Sequence, residues 1–202
     1  MRKQFSQSGF SIIELLITIF IFTVLSTAVY TLFRSISSSN RVLSASITAQ
    51  DEARKVLKPL VGEVRDATTS STGTYAILTA ANTEFTFYTN IDSDTQVERV
   101  RYFLQGTTLK KGVIKPSGSP LAYNSGSETV TEVIHHIANG ATPIFTYYDK
   151  DYTGAQSPLS TPVLVSSIRL VKIYVIIDPL GASSPSPTIM TTQVQLRNLK
   201  DN

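Results

Sequence analysis

The side chains that most often perform chemistry or bind metals are few in this chain and form no familiar constellation. His135 and His136 are the only histidines. As neighbours they point in different directions on a helix or a strand, so they do not chelate a metal by spacing. Cysteine is absent, which excludes disulfides, thiol catalysis and cysteine-ligated metal sites. From these residues we predict no catalytic site, no metal site and no cofactor.

Two short acidic sequences offer oxygen ligands for a cation. They are Asp92-Ser93-Asp94 and Asp149-Lys150-Asp151, and neither has the ligand number or the turn glycine of a calcium loop. We interpret both as turns. The chain also contains no nucleophile elbow, no phosphate-binding loop and no dinucleotide fingerprint. The sequence therefore does not predict an enzyme.

One carboxylate, that of Glu14, is unusual because of where it lies. Residues 10–33 form an almost unbroken apolar run, and Glu14 lies about one helical turn inside it. A carboxylate at the centre of a membrane helix costs about 2.5–3.5 kcal/mol on insertion scales. Near the helix N-terminus the cost is smaller, because the helix dipole favours negative charge there. Taken alone, Glu14 would be a side chain that reaches back to the membrane interface.

Glu14 is not alone, because the residues before it have a specific arrangement. The stretch Ser8-Gly9-Phe10-Ser11-Ile12-Ile13-Glu14 places a glycine before a phenylalanine and a glutamate four residues further on. A hydrophobic helix follows, and Arg2 and Lys3 lie upstream. This pattern resembles the processing signal of type IV prepilins and of the pseudopilins of type II secretion, since residue types, spacing, charge and position in the chain all agree.

The resemblance implies that the prepilin peptidase cleaves between Gly9 and Phe10 and methylates the new amino terminus of Phe10. In that family the carboxylate corresponding to Glu14 pairs with the amino terminus of a neighbouring subunit. Such a pair is physically reasonable, because an unpaired charge inside an apolar bundle is costly and a partner carboxylate offsets it. The implied processing site is Gly9 and Phe10, and the implied assembly site is Phe10 and Glu14.

A long helix must carry this motif. As a helix, residues 10–33 would be about 36 Å long, enough to span a bilayer core. The basic residues upstream favour a cytoplasmic N-terminus. Over residues 34–69 the apolar positions recur at helical spacing among polar ones, as in an amphipathic helix. We predict one helix from about Phe10 to about Thr68, bent or weakened at Pro59, whose second half packs on the head.

A secretory signal peptide is the competing interpretation of the N-terminus. Ser26-Thr27-Ala28 has the small residues of a signal-peptidase site, and cleavage there would release a soluble protein beginning at Val29. Two features count against it. Glu14 lies early in the apolar core, and apolar character continues past Ala28.

Beyond the helix, the sequence has the alternation and turn residues of a β-rich domain. After a loop over 67–74, we predict strands over 84–89, 100–104, 144–148, 163–177 and 188–199. We also predict a two-residue hairpin turn at Gly106-Thr107 and loops over 116–127 and 178–187. Inward-facing positions are Val171, Ile173, Val175, Ile177, Val194 and Leu196. Val130, Val133, Ile134 and Ile137 lie at helical spacing and predict a short helix.

The predicted fold class is α+β and pilin-like: a long N-terminal helix, transmembrane in its first half, packed on a mainly antiparallel sheet. The predicted divisions are a cleaved leader (1–9), a transmembrane half-helix (10–33), an amphipathic half-helix (34–69) and a β-rich head (70–202). Short strand patterns over 100–104, 109–111, 144–149 and 194–199 resemble those of J-type pseudopilins and W-type minor pilins.

The function implied is that of a minor pilin or pseudopilin that helps to initiate a type IV pilus or a type II secretion pseudopilus. Its expected partners are the prepilin peptidase and other pilin-like subunits. We expect a single span in the cytoplasmic membrane with the head outside. Loss of Arg2 and Lys3 with the leader would leave 16 basic against 15 acidic side chains, so no nucleic-acid partner is expected. The alternative is a secreted or singly anchored β-rich ligand-binding protein.

Overall fold

The computed structural model describes residue 9 and residues 11–181 and 187–199 of the 202-residue chain. The described chain has one long helix, α1 (Ile12–Arg65), and eight β-strands. Its contacts divide it into two units, Met1–Ser44 and Ala45–Asn202. The first unit is helical from Ile12 onward. The second contains the rest of α1 and all the strands, and we call it the head.

Helix α1 is shorter at its C-terminal end than predicted, since it ends at Arg65 rather than near Thr68. Pro59 lies inside the helix and does not end it. Proline has no N–H, so only the carbonyl of Lys55 loses its helical donor there. Spacings of three and four residues along the second half of α1 place small and aliphatic side chains on one buried stripe. The stripe consists of Ala49, Ala53, Leu57, Leu60 and Val64.

The first sheet of the head has five strands in the order β1-β2-β3-β4-β5, and every neighbouring pair is antiparallel. Each strand follows its neighbour in the sequence, so the sheet is a simple meander. The strands are β1 (Ile77–Ala80), β2 (Glu84–Thr89), β3 (Glu98–Gln105), β4 (Thr108–Ile114) and β5 (Thr129–Ile134).

The second sheet has three antiparallel strands, β6 (Phe145–Tyr148), β7 (Leu170–Ile177) and β8 (Thr188–Gln195), in that order. The loop predicted over 178–187 connects β7 to β8, and its residues 182–186 lie outside the described chain. Two short 3-10 turns lie next to this sheet in sequence: Val165–Ser167 precedes β7, and Arg197–Leu199 follows β8.

One hydrophobic core joins both sheets to the buried stripe of α1. Aromatic rings form its centre: Phe85 and Phe87 have ring centroids 5.0 Å apart, and Phe85 lies 5.6 Å from Tyr147 and 5.9 Å from Phe145. Aromatic pairs at these separations stabilise a core beyond the area that they bury. Since rings from β2 and β6 meet here, the two sheets are held together by their side chains.

A polar cluster also joins α1 to the first sheet. The Lys111 ammonium on β4 lies 2.5 Å from Glu63 Oε1, and the Tyr102 hydroxyl donates to Glu63 Oε2 at 2.9 Å. Burial raises the pKa of Tyr102, so this hydroxyl remains a donor. Nearby, His135 Nδ1 lies 2.6 Å from Glu52 Oε1 on α1, and His135 Nε2 lies 3.2 Å from Glu132 Oε2.

Several strand predictions are confirmed. Strand β2 has the predicted bounds, and β3 and β4 are joined by the predicted two-residue turn at Gly106-Thr107. The inward-facing positions on β7 and at the C-terminal end of β8 are also correct. These side chains, Val171, Ile173, Val175, Ile177, Val194 and Leu196, are all buried.

The short helix predicted near Val130 is wrong, because Thr129–Ile134 is strand β5. This stretch pairs with β4 over Leu109–Val113. Four of its six residues are threonine or valine, whose branched side chains favour a pleated strand. After β5, His136 has φ of 59°, and Ile137 forms a bridge to Ile177 of β7.

Three further predictions need correction. The strand predicted over 163–177 begins only at Leu170, since residues 165–167 form a 3-10 turn. The strand predicted over 188–199 ends at Gln195, and Arg197–Leu199 form a second 3-10 turn. The head also has two sheets instead of one, and β1 was not predicted. Residues 77–79, with Ile, Leu and Thr, carried a weak strand signal for β1.

Candidate processing and assembly site

Gly9 lies outside any helix or strand, and it is exposed. A Cβ atom added at this position would meet no described atom within 4 Å. Packing within the described chain therefore does not require a glycine here. Phe10, predicted to be the cleaved and methylated residue, lies outside the described residues.

Ser11 is the N-cap of α1. Its carbonyl accepts from the N–H groups of Glu14 and Leu15 at 3.1 and 3.2 Å, and its hydroxyl accepts from the Ile13 N–H at 3.4 Å. Serine is among the best N-cap residues because its hydroxyl satisfies an otherwise unpaired helix N–H. The cap fixes the helix start immediately after the predicted cleavage point.

Glu14 lies in the first turn of α1, where the helix dipole favours its negative charge. Ser11 and Glu14 have the spacing of a capping box, in which the glutamate bonds back to the N-cap residue. Among the described residues, however, no hydrogen bond or ion pair reaches the Glu14 carboxylate, and the residue is exposed. Its carboxylate is thus available to a group outside the described chain.

The first half of α1 exposes its apolar side chains on every side. By length and composition α1 is able to cross a membrane, and none of its most apolar stretch is buried within the chain. Such a surface needs lipid or other apolar helices around it. The large exposed residues include Ile12, Ile13, Leu15, Leu16, Ile17, Ile19, Phe20, Ile21, Phe22, Val24, Leu25, Val29, Tyr30, Leu32 and Phe33.

The threonine hydroxyls in this apolar segment bond to carbonyls of their own helix. The donors are Thr18, Thr23, Thr27 and Thr31, and their acceptors, the carbonyls of Leu15, Ile19, Thr23 and Ala28, lie at 2.8, 2.7, 2.9 and 2.8 Å. A polar group in hydrocarbon costs several kcal/mol unless it is satisfied internally. These hydroxyls meet that condition with no partner from another helix.

The other residues considered for chemistry have structural contacts. His135 joins β5 to α1 through Glu52, and the hydrogen bonds that its ring donates to Glu52 and then to Glu132 raise the pKa of His135. His136 is exposed. Asp149 accepts from the Asp151 N–H at 3.0 Å, which confirms a turn.

The Asp92 loop is also a turn, since Asp92 Oδ1 accepts from the Asp94 N–H at 3.2 Å. Sequence reasoning missed that Glu98, at the start of β3, lies beside both aspartates. The available signal was the presence of three acidic residues, at 92, 94 and 98, within seven positions. Lys115, which contacts all three carboxylates, could not be found from spacing, because β4 brings it there.

The N-terminal segment matches a known family model. The model of the prokaryotic N-terminal methylation motif matches residues 4–30, which include Gly9, Phe10, Glu14 and most of the apolar half of α1. The match ends before the head begins. No curated protein matches the chain. The chain thus begins with the methylation motif that is the hallmark of the type IV pilin-like prepilins, followed by their long apolar helix.

Proposed function

We propose that this protein is a minor pilin or pseudopilin. In this proposal the prepilin peptidase cleaves between Gly9 and Phe10 and methylates Phe10. The mature subunit then joins a type IV pilus or a type II secretion pseudopilus through α1 and helps to initiate it. The observation that carries the proposal is the methylation motif over residues 4–30, which lies on a helix whose most apolar stretch has no residue buried within the chain.

The contacts of Gly9 support a processing role. Nothing described within 4 Å would obstruct a side chain at this position, so the fold itself does not call for glycine. A peptidase that binds the chain in an extended form close to its catalytic groups does call for one, because glycine lets another backbone approach closely. We therefore propose that the peptidase, and not the fold, requires a glycine at position 9.

The contacts of Glu14 support an assembly role. Its carboxylate has no partner among the described residues, although it lies at the start of an apolar helix. Cleavage before Phe10 would create a positive charge near the same depth in each neighbouring subunit. Pairing Glu14 with that amino group would neutralise two charges in apolar surroundings, where each alone is costly. The pair would also set the register between adjacent helices.

A membrane-anchored protein with one N-terminal apolar helix fits these observations, and we place it in the cytoplasmic membrane with the head outside. Arg2 and Lys3 before the apolar run favour this orientation. The head resembles J-type pseudopilins and W-type minor pilins in its strand patterns, and this resemblance supports a role as a low-abundance subunit. Its partners are then other minor pilin-like proteins.

The deciding experiment is mass analysis of the N-terminal peptide of the protein purified from its native membrane. We expect a chain that begins with methylated Phe10 and retains α1. A chain that begins at Val29 would instead support the alternative of a secreted β-rich protein. Helix α1 runs unbroken through residues 26–28, and the Thr27 hydroxyl bonds to the Thr23 carbonyl, which disfavours the extended form of a signal-peptidase site.

A substitution separates processing from folding. Gly9→Ala should leave the head folded, since the added methyl group has free space, yet it should accumulate as the uncleaved precursor. Gln7→Ala, two residues earlier, is the matched control and should be processed. Normal cleavage of Gly9→Ala would count against the assigned role of Gly9.

A further inference from the structure

The loop between β2 and β3 brings three carboxylates together at one edge of the head. Asp92 and Asp94 lie in the loop, and Glu98 is the first residue of β3. Each offers one oxygen, and these oxygens all lie within 4.8 Å of one another. Two oxygens that share a Ca²⁺ ion at about 2.4 Å are at most about 4.8 Å apart, so the spacing suits one such ion. We call these three residues the acidic cluster.

Glu98 distinguishes the acidic cluster from ordinary surface carboxylates. Its side chain is only 2% exposed, whereas those of Asp92 and Asp94 are 50% and 37% exposed. Glu98 Oε2 accepts from the Ile91 N–H at 3.0 Å. Glu98 Oε1 is buried and has no hydrogen-bond partner among the described residues. Leaving a buried acceptor without a donor is unfavourable, and more so when the acceptor is charged.

Lys115 shows where a cation would lie. Its ammonium is 2.9 Å from Asp92 Oδ2, is hydrogen-bonded to Asp94 Oδ2, and is 3.9 Å from Glu98 Oε1. The last distance is too long for a hydrogen bond. The unpartnered oxygen therefore faces the same point as the ammonium but is not satisfied by it.

The charges of the group do not balance with Lys115 alone. Three carboxyl groups face one ammonium, so full ionisation leaves a charge of about −2 at this edge. The Lys115 side chain is 49% exposed, so its charged end can turn into solvent. A divalent cation in its place would be reached by all three carboxylates.

We propose that the acidic cluster binds one Ca²⁺ ion, with Asp92, Asp94 and Glu98 as ligands and Lys115 as the cation that the ion displaces. The ligand set is made of hard oxygen atoms with no histidine or cysteine, which disfavours Zn²⁺ and Cu²⁺. An exposed loop with room for water suits the variable coordination of Ca²⁺ better than the strict octahedron of Mg²⁺. Competition from Lys115 should keep the affinity low, with a dissociation constant of about 10⁻⁴–10⁻³ M.

The test is calorimetric titration of CaCl₂ into the full chain in detergent micelles after treatment with a chelator. We expect one Ca²⁺ per chain. Asp92→Asn and Glu98→Gln should each weaken binding about tenfold or more, because a charged ligand is lost. Lys115→Met should strengthen it, because the competing cation is gone. The double variant Asp149→Asn, Asp151→Asn removes two charges from another turn and should bind as the wild type does.

Circular dichroism decides whether Glu98→Gln remains folded, and the exposed Asp92 provides an independent variant if it does not. Absence of binding to both the wild type and Lys115→Met at about 10 mM Ca²⁺ would overturn the site. Equal binding by the wild type and Asp92→Asn would do the same. Binding of MgCl₂ as tight as that of CaCl₂ would overturn the assignment to calcium.

Discussion

At the first turn of α1, we predict that the Glu14 carboxylate is needed for assembly but not for membrane insertion. Glu14→Leu makes the span more apolar, so the variant should still insert and should still be cleaved. It should enter filaments poorly, because the amino group of the neighbouring subunit loses its partner. Incorporation into sheared fibres measures the effect, with Thr18→Leu one turn further along the helix as the control. Normal incorporation of Glu14→Leu would remove the proposed mechanism for register.

The contact between His135 and Glu52 should make the stability of the head depend on pH. Hydrogen bonds to Glu52 and then Glu132 raise the folded-state pKa of His135 above its unfolded value of about 6.5. Its stabilisation is therefore fully present below about pH 6.5 and is lost as pH rises through the folded-state pKa. Because the ring is nearly half exposed, we expect at most about 1 kcal/mol, which is a few degrees in melting temperature.

Thermal melts at pH 6 and pH 9 test this dependence. His135→Gln should melt below the wild type at pH 6, and the difference should shrink at pH 9. His136→Asn is the control, since asparagine tolerates the positive φ at that position. A difference between His135→Gln and the wild type that grows with pH would contradict the argument.

At the scale of the element, the buried stripe of α1 holds the helix to the sheets. Leu60 is fully buried in it, and Leu60→Ala should destabilise the head by about 2–5 kcal/mol through lost contacts and a cavity. Ile47→Ala, on an exposed position of the same helix, should change the free energy of unfolding by less than about 0.5 kcal/mol. Denaturant unfolding followed by tyrosine fluorescence measures both. Equal effects would mean that Leu60 does not lie in the core.

Local patterns predicted some elements well and others poorly, for physical reasons. Strand β2 and the hairpin of β3 and β4 depend on alternation and on a turn between neighbours in the sequence, and both are correct. Strand β5 was predicted as a helix because its spacing was ambiguous and its pairing with β4 was not visible. Pairing between strands decides such segments, and pairing is a property of the folded chain.

The candidate sites show the same limit. Gly9, Phe10 and Glu14 lie within six residues of one another, so a motif in the sequence was sufficient to propose them. Lys115 reaches Asp92 only because three strands lie side by side, and no spacing rule predicts that.

For the whole molecule, we predict that the head folds without the membrane segment. A fragment of residues 35–202 contains the complete buried core and needs no disulfide. It should be soluble and monomeric, with both helix and strand in its circular dichroism spectrum. Size-exclusion chromatography and that spectrum are the measurements. An insoluble or unfolded fragment would mean that partner subunits supply part of the core.

The proposed role also predicts the abundance of the subunit. A major subunit repeats along the whole fibre, so its head must pack against copies of itself. The loops over 116–127 and 157–162 are rich in serine, proline and glycine and suit a few specific contacts near one end of a fibre better. Deletion should abolish or sharply reduce fibres or secretion, while quantitative proteomics should find the protein scarce in purified fibres. If it is the most abundant pilin there, the proposed minor role is wrong. The proposed cleavage after Gly9 would not be affected by that result.

The threonines that bond to carbonyls of their own helix affect how the helix would pass from the bilayer into a fibre. Thr18, Thr23 and Thr27 keep the same hydrogen bonds whether hydrocarbon tails or neighbouring helices surround them. Moving such a helix from lipid into a fibre exchanges one apolar neighbour for another, and no hydrogen bond of these threonines is broken or made on the way. The threonines therefore neither favour nor oppose the transfer in either direction. Any polar preference for the fibre is then left to the proposed pair of Glu14 with a neighbouring amino terminus.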